Sequence, residues 1–203
     1  MKIFAVLSLM VTVSLAVPAL KDVPSFCDGL DCPRYTLIAV KKGYEIRKYE
    51  ATKWVGTTVP SMSFTTALHI AYGKIAAYIS GANSASEKIP MATPIATKVV
   101  PGQGPACDSN FTVLLFIPFA FQSKAPTPMD PQVALVDLPA VTAYVTSFGG
   151  WEADNELQEE ASDLANTLID DNVDYVKDFY LTASYDPPTK DTGRHNEVWF
   201  LAA

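Results

Sequence analysis

YEIRKYEATKWVGTTVPSMSFTTALHIAYGKIAAYISG, residues 44–81, reads as two strands followed by a helix, and this reading decides the fold. Within Tyr44–Tyr49, Tyr44 and Ile46 alternate with Glu45 and Arg47, the period of a half-buried strand, before Lys48 and Tyr49 close it. Lys53–Val59 is rich in β-branched residues and predicts a second strand, stopped by Pro60. Ser61 or Ser63 then caps a helix that runs to about Ser80, with Gly81 as its stop.

The same order recurs downstream. Strands are expected near Ile95–Val100 and Phe111–Ile117, separated by a Pro/Gly loop. After the Pro-rich join Pro126–Pro131 come strands at Val133–Leu138 and Val141–Phe148, then Gly149-Gly150 and a helix over about Glu152–Asp170. Leu157, Ala161, Leu164 and Leu168 share one face of that helix. Strands near Phe179–Tyr185 and Glu197–Leu201 close the chain. The pattern, though not the residues, repeats as strand-strand-helix-strand-strand. It predicts an α+β fold in which two pseudo-symmetric ββαββ halves form one curved sheet or distorted β-barrel flanked by two helices.

Upstream, Met1–Lys2 precedes the uncharged apolar run Ile3–Ala16. The run ends in Ser14-Leu15-Ala16, with a second small-residue exit at Val17-Pro18-Ala19. This is the pattern of a secretory signal peptide over 1–16, extending to 19 on the second option, and it is short for a membrane anchor, which needs roughly 20 apolar residues. The expected organisation is a leader, an N-terminal extension over 17–43 and a single domain over 44–203. Secretion is expected, with no membrane span in the mature chain.

The 203 residues carry 15 basic and 22 acidic side chains. Removal of the leader with its Lys2 makes the balance more acidic still. Such a domain is repelled by phosphate backbones, so nucleic acid is not an expected partner. A secreted chain meets oxidising conditions, so its cysteines are expected to pair. Cys27-Asp-Gly-Leu-Asp-Cys32 can close locally, and the rival is Cys107 paired with one of the two. Asn110-Phe111-Thr112 is a glycosylation sequon at the start of a predicted strand. No Gly-x-Ser-x-Gly elbow, phosphate loop or His-Glu-x-x-His helix is present, so a binding protein and not an enzyme is expected.

Several stretches resemble the SOUL haem-binding family: Tyr44-Glu45-Ile46-Arg47-Lys48-Tyr49, Lys53-Trp54-Val55, Met91-Ala92-Thr93-Pro94-Ile95 and Phe148-Gly149-Gly150. The closing runs Tyr185-Asp186-Pro187-Pro188-Thr189-Lys190 and Asn196-Glu197-Val198-Trp199 are the most telling. The matches cover Tyr44 to Leu201 in the family's order. The resemblance implies the same two-half fold, and binding of haem or another tetrapyrrole without catalysis. Where vertebrate members carry a histidine proposed as the iron ligand, this chain has Lys48, and a protonated lysine is a poor iron ligand. A related branch of the family holds the porphyrin in a shallow apolar cleft beside the first helix. Basic groups there face the propionates, including a lysine that matches Lys190.

The first helix supports such a site on its own residues. Phe64, Leu68, Ala71, Ile75 and Ile79 form an expected inward stripe, with Ala67 and Tyr78 at its edge. The opposite face carries Thr66, His69, Ile70, Gly73, Ala76 and Ala77, with Lys74 at the margin as the helix's one charge. Solvated faces normally carry Glu and Lys, as Glu156, Glu159, Glu160 and Asp163 do on the second helix. A small, flat, nearly uncharged face is a candidate binding surface. A planar ligand can approach its backbone closely, and His69 is placed to ligate a haem iron. The expected haem-binding set is therefore Thr66, His69, Ile70, Gly73, Lys74, Ala77 and Lys190. The alternative is a protein-interaction module in which the same face docks a partner or a second copy. The expected state in solution is a monomer or weak dimer.

Overall fold

The computed structural model describes residues 23–104 and 107–203. The leader over 1–16 lies outside the described residues. The elements run β1 (Tyr35–Lys41), β2 (Tyr44–Tyr49), β3 (Thr52–Ser61), α1 (Phe64–Ile79), β4 (Ile95–Val100), β5 (Ser109–Phe116), β6 (Ala134–Leu138), β7 (Val141–Phe148), α2 (Asp154–Asp170), β8 (Tyr180–Ser184) and β9 (Asn196–Leu201).

All nine strands join one antiparallel sheet in the order β1-β2-β7-β9-β8-β4-β5-β3-β6. Set aside β1, and the order is symmetric about the β8–β4 pair: β4 answers to β8, β5 to β9, β3 to β7 and β6 to β2. These are the two expected ββαββ halves. Each half lends its first strand to the other, since β2 pairs with β7 and β6 pairs with β3. Neither half can therefore complete its own sheet. The ends β1 and β6 do not pair, and the result is an open, distorted barrel.

Two details depart from the local reading. β1 lies ahead of Tyr44 and pairs with β2 in register Tyr35↔Tyr49 to Lys41↔Tyr44, so part of the expected extension belongs to the sheet. β3 also runs through Pro60 to Ser61 instead of stopping. β6 pairs with β3 only over Thr52–Gly56, which leaves the far end of β3 with one neighbour. A proline is tolerated in such an edge position, where its missing N–H costs no ladder bond.

Both helices lie on one face of the sheet. α1 packs on β3 and β5 and is joined there by Val55, Val59, Phe111, Val113 and Leu115. α2 packs on β9 and β7, and Leu157, Ala161, Leu164 and Leu168 are its buried positions, as the periodicity predicts. Each of the three buried leucines contributes about 1.5–3 kcal/mol. The other face carries two clusters. In the first half it is apolar, built on Trp54, Ala96, Leu114 and Phe116. In the second half it is closed by the N-terminal segment, whose Cys27 and Cys32 are themselves core residues.

Candidate functional site

α1 begins where Ser63 Oγ accepts the Thr66 N–H at 3.4 Å, so Ser63 and not Ser61 is the cap. A second cap comes from a distance. Asp154, the first residue of α2, accepts from the Phe64 and Thr65 N–H groups at 3.2 and 3.3 Å. Its negative charge meets the positive end of a helix that has no acid of its own. The buried stripe is Phe64, Ala67, Ala71, Ile75 and Tyr78. Leu68 and Ile79, expected at its centre, are half-buried, while Ala67 and Tyr78 move from edge to centre. The Tyr78 hydroxyl reaches inward and donates to the Pro126 carbonyl at 2.8 Å.

Thr66, His69, Ile70, Gly73 and Ala77 are exposed together on the outer face, while Ala76 is half-buried. Ile70, Tyr72 and Met62 are among the exposed large apolar side chains of the molecule. A Cβ built on Gly73 meets nothing within 4 Å, so no packing demand explains a glycine there. Lys74 is drawn to the side, its Nζ donating to Gln132 Oε1 at 2.5 Å. From Thr66 to Ala77 the face is a stripe about 16 Å long at 1.5 Å per residue.

Lys190 is carried by a different segment. It lies in the β8–β9 connection, where its ammonium pairs with Asp186 at 2.5 Å. Among the described residues no hydrogen bond or ion pair links it to α1. Arg194 orders the same turn, donating to the carbonyls of Pro187, Lys190 and Asp186 at 2.8, 2.9 and 3.2 Å. Its guanidinium lies 4.2 Å from the ring centre of Trp151. Burial would raise the Asp186 carboxyl, but bonds from Lys190 and the His195 backbone, with the charges of Lys190 and Arg194, hold it below its usual value.

Glu152 stands beside this turn, and its Oε1 has no hydrogen-bond partner among the described residues. Burial pushes its carboxyl up to about 7, against the lowering pull of Ser184 and Arg194. A raised carboxyl is most compatible with folding when protonated. Its contribution is present below the ordinary value of 4.5 and is lost as the pH rises through about 7. The melting temperature of Glu152→Gln is therefore expected to gain on the wild type as the pH rises from about 5 to about 8. Parallel melting curves across that range would show that Glu152 ionises freely in the folded protein.

The most elaborate polar arrangement was not visible in the sequence. Arg47 and Glu197 form an ion pair at 2.8 Å with side chains 4% and 0% exposed. Glu197 Oε1 also faces His195 Nε2 at 2.8 Å, and Oε2 accepts from the Tyr185 hydroxyl at 3.0 Å and Trp199 Nε1 at 2.7 Å. Arg47 donates further to Glu45 at 2.7 Å and to the Tyr49 hydroxyl at 3.1 Å. Register places small residues opposite the pair, Ala143 across from Arg47 and Ala183 across from Glu197. Phe26 stacks on the His195 ring at 4.0 Å and closes the cluster. The expectation that Arg47 is a solvent-side strand residue is thereby overturned. β2 is covered on both faces, by α2 on the Tyr44 side and by the N-terminal segment on the Tyr49 side. The one local signal was a pair of motifs, Arg47-Lys48-Tyr49 and Glu197-Val198-Trp199, that place a charge two residues from an aromatic on a strand.

Cys27 and Cys32 form the disulfide, with Cα atoms 6.2 Å apart, and Cys107 is free and exposed. Asn110 is exposed near the start of β5, and Lys48 is exposed on β2.

A family model described as SOUL heme-binding protein matches residues 30–201. Human Heme-binding protein 2 is 37% identical over 158 residues, covering 78% of this chain and 77% of that protein. Heme-binding protein 1 of Xenopus laevis is 34% identical over 158 residues, covering 78% of this chain and 83% of that protein. Among solved structures, the EcmrR C-terminal domain superposes with a TM-score of 0.61 at 10% identity, covering 83% of this chain and 98% of that one. A Listeria innocua protein described as a hydrolase gives 0.51 at 12% identity, covering 81% and 93%. At these identities the structural likeness concerns the fold alone.

Proposed function

The chain belongs to the SOUL heme-binding protein family, and from that membership we propose that it binds haem or a related tetrapyrrole on the outer face of α1, without catalysis. The observation that carries this reading is the exposed, nearly uncharged stripe over Thr66, His69, Ile70, Gly73 and Ala77. The residues fit the group. Gly73 allows a flat ring to approach the helix backbone, Ile70 and Ala77 offer apolar contact, and His69 is exposed with no hydrogen bond or ion pair among the described residues. A bound haem would supply an iron centre, and the His69 imidazole would ligate it. The work of the chain is then to hold and shield the macrocycle. Lys74 lies at the margin of the face, where its ammonium can meet a propionate by leaving Gln132. Lys190 would have to leave Asp186 to do the same.

The setting that suits this reading is extracellular, as a carrier, scavenger or pigment holder. The apolar N-terminal run and the Cys27–Cys32 disulfide support it, because disulfides persist in oxidising compartments. A second reading is favoured by Met62, Ile70 and Tyr72, exposed large apolar groups that also suit docking of a protein partner or a second copy.

A haemin absorption titration of wild type and His69→Ala separates these readings. The expected result is a saturable one-to-one change with a sharp, shifted Soret band in the wild type, broadened or lost in the variant. An unchanged band in His69→Ala would remove the ligand role of His69. No saturable change in the wild type would leave the interaction module.

A further inference from the structure

We propose that the cleft between α2 and the aromatic residues bordering β8 and β9 is a second ligand site, taking a small amphipathic anion. It is independent of the α1 reading. The cleft has a volume of about 220 Å³. That is below the roughly 300–1,000 Å³ of clefts that enclose drug-sized ligands, so a fragment-sized molecule fits and a whole porphyrin does not.

One wall is built from small residues. Ala161, Ser162 and Ala165 stop short of the sheet on a helix whose Leu157, Leu164 and Leu168 fill the space beside them. The opposite wall is aromatic: Tyr175, Phe179, Tyr180 and Phe200. This wall is held in place. Tyr175 and Phe200 meet edge to face at 4.8 Å, and the Val176 N–H donates to the Leu201 carbonyl at 2.9 Å, which anchors the segment along β9.

Four polar groups on this lining have no hydrogen-bond partner among the described residues. They are the hydroxyls of Ser162, Tyr175 and Tyr180 and the ammonium of Lys177. Lys177 lines the cleft with its ammonium 5.7 Å from the Tyr175 ring centre, and it pairs with no carboxylate among the described residues. The lining holds no acid. A largely apolar lining with three neutral O–H donors, two of them phenolic, and one ammonium selects a ring or short chain that ends in a carboxylate or sulfonate. The ring replaces water against the aromatic wall, and the anion takes the ammonium and the phenol donors.

The experiment is a fluorescence titration of the full-length protein with 1-anilinonaphthalene-8-sulfonate, run beside the neutral probe N-phenyl-1-naphthylamine. Expected is saturable binding of one sulfonate probe per chain. Ala165→Phe, which fills the cleft, should raise its Kd at least tenfold. Lys177→Gln should raise the Kd of the sulfonate about threefold or more while leaving the neutral probe unchanged, because only the anion uses the ammonium. Should Ala165→Phe fail to fold by circular dichroism, Ser162→Phe at an exposed position carries the same expectation. Unchanged binding in the folded cleft-filling variant would overturn the site. Equal effects of Lys177→Gln on both probes would overturn the anion. Loss of the signal in Gly73→Glu would place the probe on α1 and overturn the proposal as well.

Discussion

Glu197→Gln is expected to cost about 3–5 kcal/mol of folding stability, the usual loss when one partner of a buried ion pair is removed. The size of the effect follows from the number of donors that converge on one carboxylate. Arg47, Tyr185 and Trp199 all donate to Glu197, and His195 lies within bonding distance. A glutamine amide offers a single acceptor oxygen, and its NH2 group would face donors. The Arg47 guanidinium would be left charged in a site 4% exposed. For a domain of this size the melting temperature should fall by roughly 2–4 °C per kcal/mol, so the drop is on the order of 10 °C. Thermal denaturation followed by circular dichroism measures it. The double variant Glu197→Gln/Arg47→Met should recover part of the loss, since it removes a buried charge whose remaining carboxylate, Glu45, is 35% exposed. A single-variant drop of only a degree or two would mean that water reaches the pair.

The pH dependence of this cluster has the opposite sign to that of Glu152. Burial alone would raise the Glu197 carboxyl, but the bond from His195 and the charge and bond of Arg47 outweigh it and hold it low. Its contribution is present above the ordinary value of 4.5 and is lost as the pH falls through the lowered folded value.

Gly73→Glu is expected to raise the Kd for haemin at least tenfold, which corresponds to 1.4 kcal/mol or more. A Cβ there meets nothing within 4 Å, and glutamate is the better helix former by roughly 0.5–1 kcal/mol, so the fold is retained or strengthened. What changes is the surface. A carboxylate would stand at the centre of the stripe, where it must be desolvated under the macrocycle and repels the propionates. Gly73→Ala, which adds only a methyl group, should bind within a few-fold of wild type. Wild-type affinity in Gly73→Glu would move the tetrapyrrole off this face. If the wild type is a dimer by light scattering and Gly73→Glu a monomer, the face serves a second copy.

Much of this molecule is written in short-range pattern. The two ββαββ halves, the buried face of α2 and the bare face of α1 follow from periods of 2 and 3.6 residues, because each element must bury one side of itself. The Cys27–Cys32 pairing likewise follows from a spacing that lets the loop close locally. The site on α1 could be proposed from sequence because an unusual face is a local property of one helix.

The Arg47–Glu197 cluster could not. Its two charges are 150 residues apart, and they meet only because β2 is lent to the opposite half and lies beside β7, which in turn lies beside β9. Whether a strand face meets water or core depends on what covers it. For Arg47 the cover is Phe26 and the disulfide segment, which no period within Tyr44–Tyr49 encodes. The amino-acid sequence by itself determined which elements form and which of their faces are apolar, since backbone geometry and side-chain transfer energies act locally. Only the tertiary structure decided that a charged strand face is interior, that Asp154 caps the other helix, and that Lys190 pairs with Asp186. Those outcomes rest on desolvation and on partners supplied by distant segments, and they exist only once the sheet is assembled.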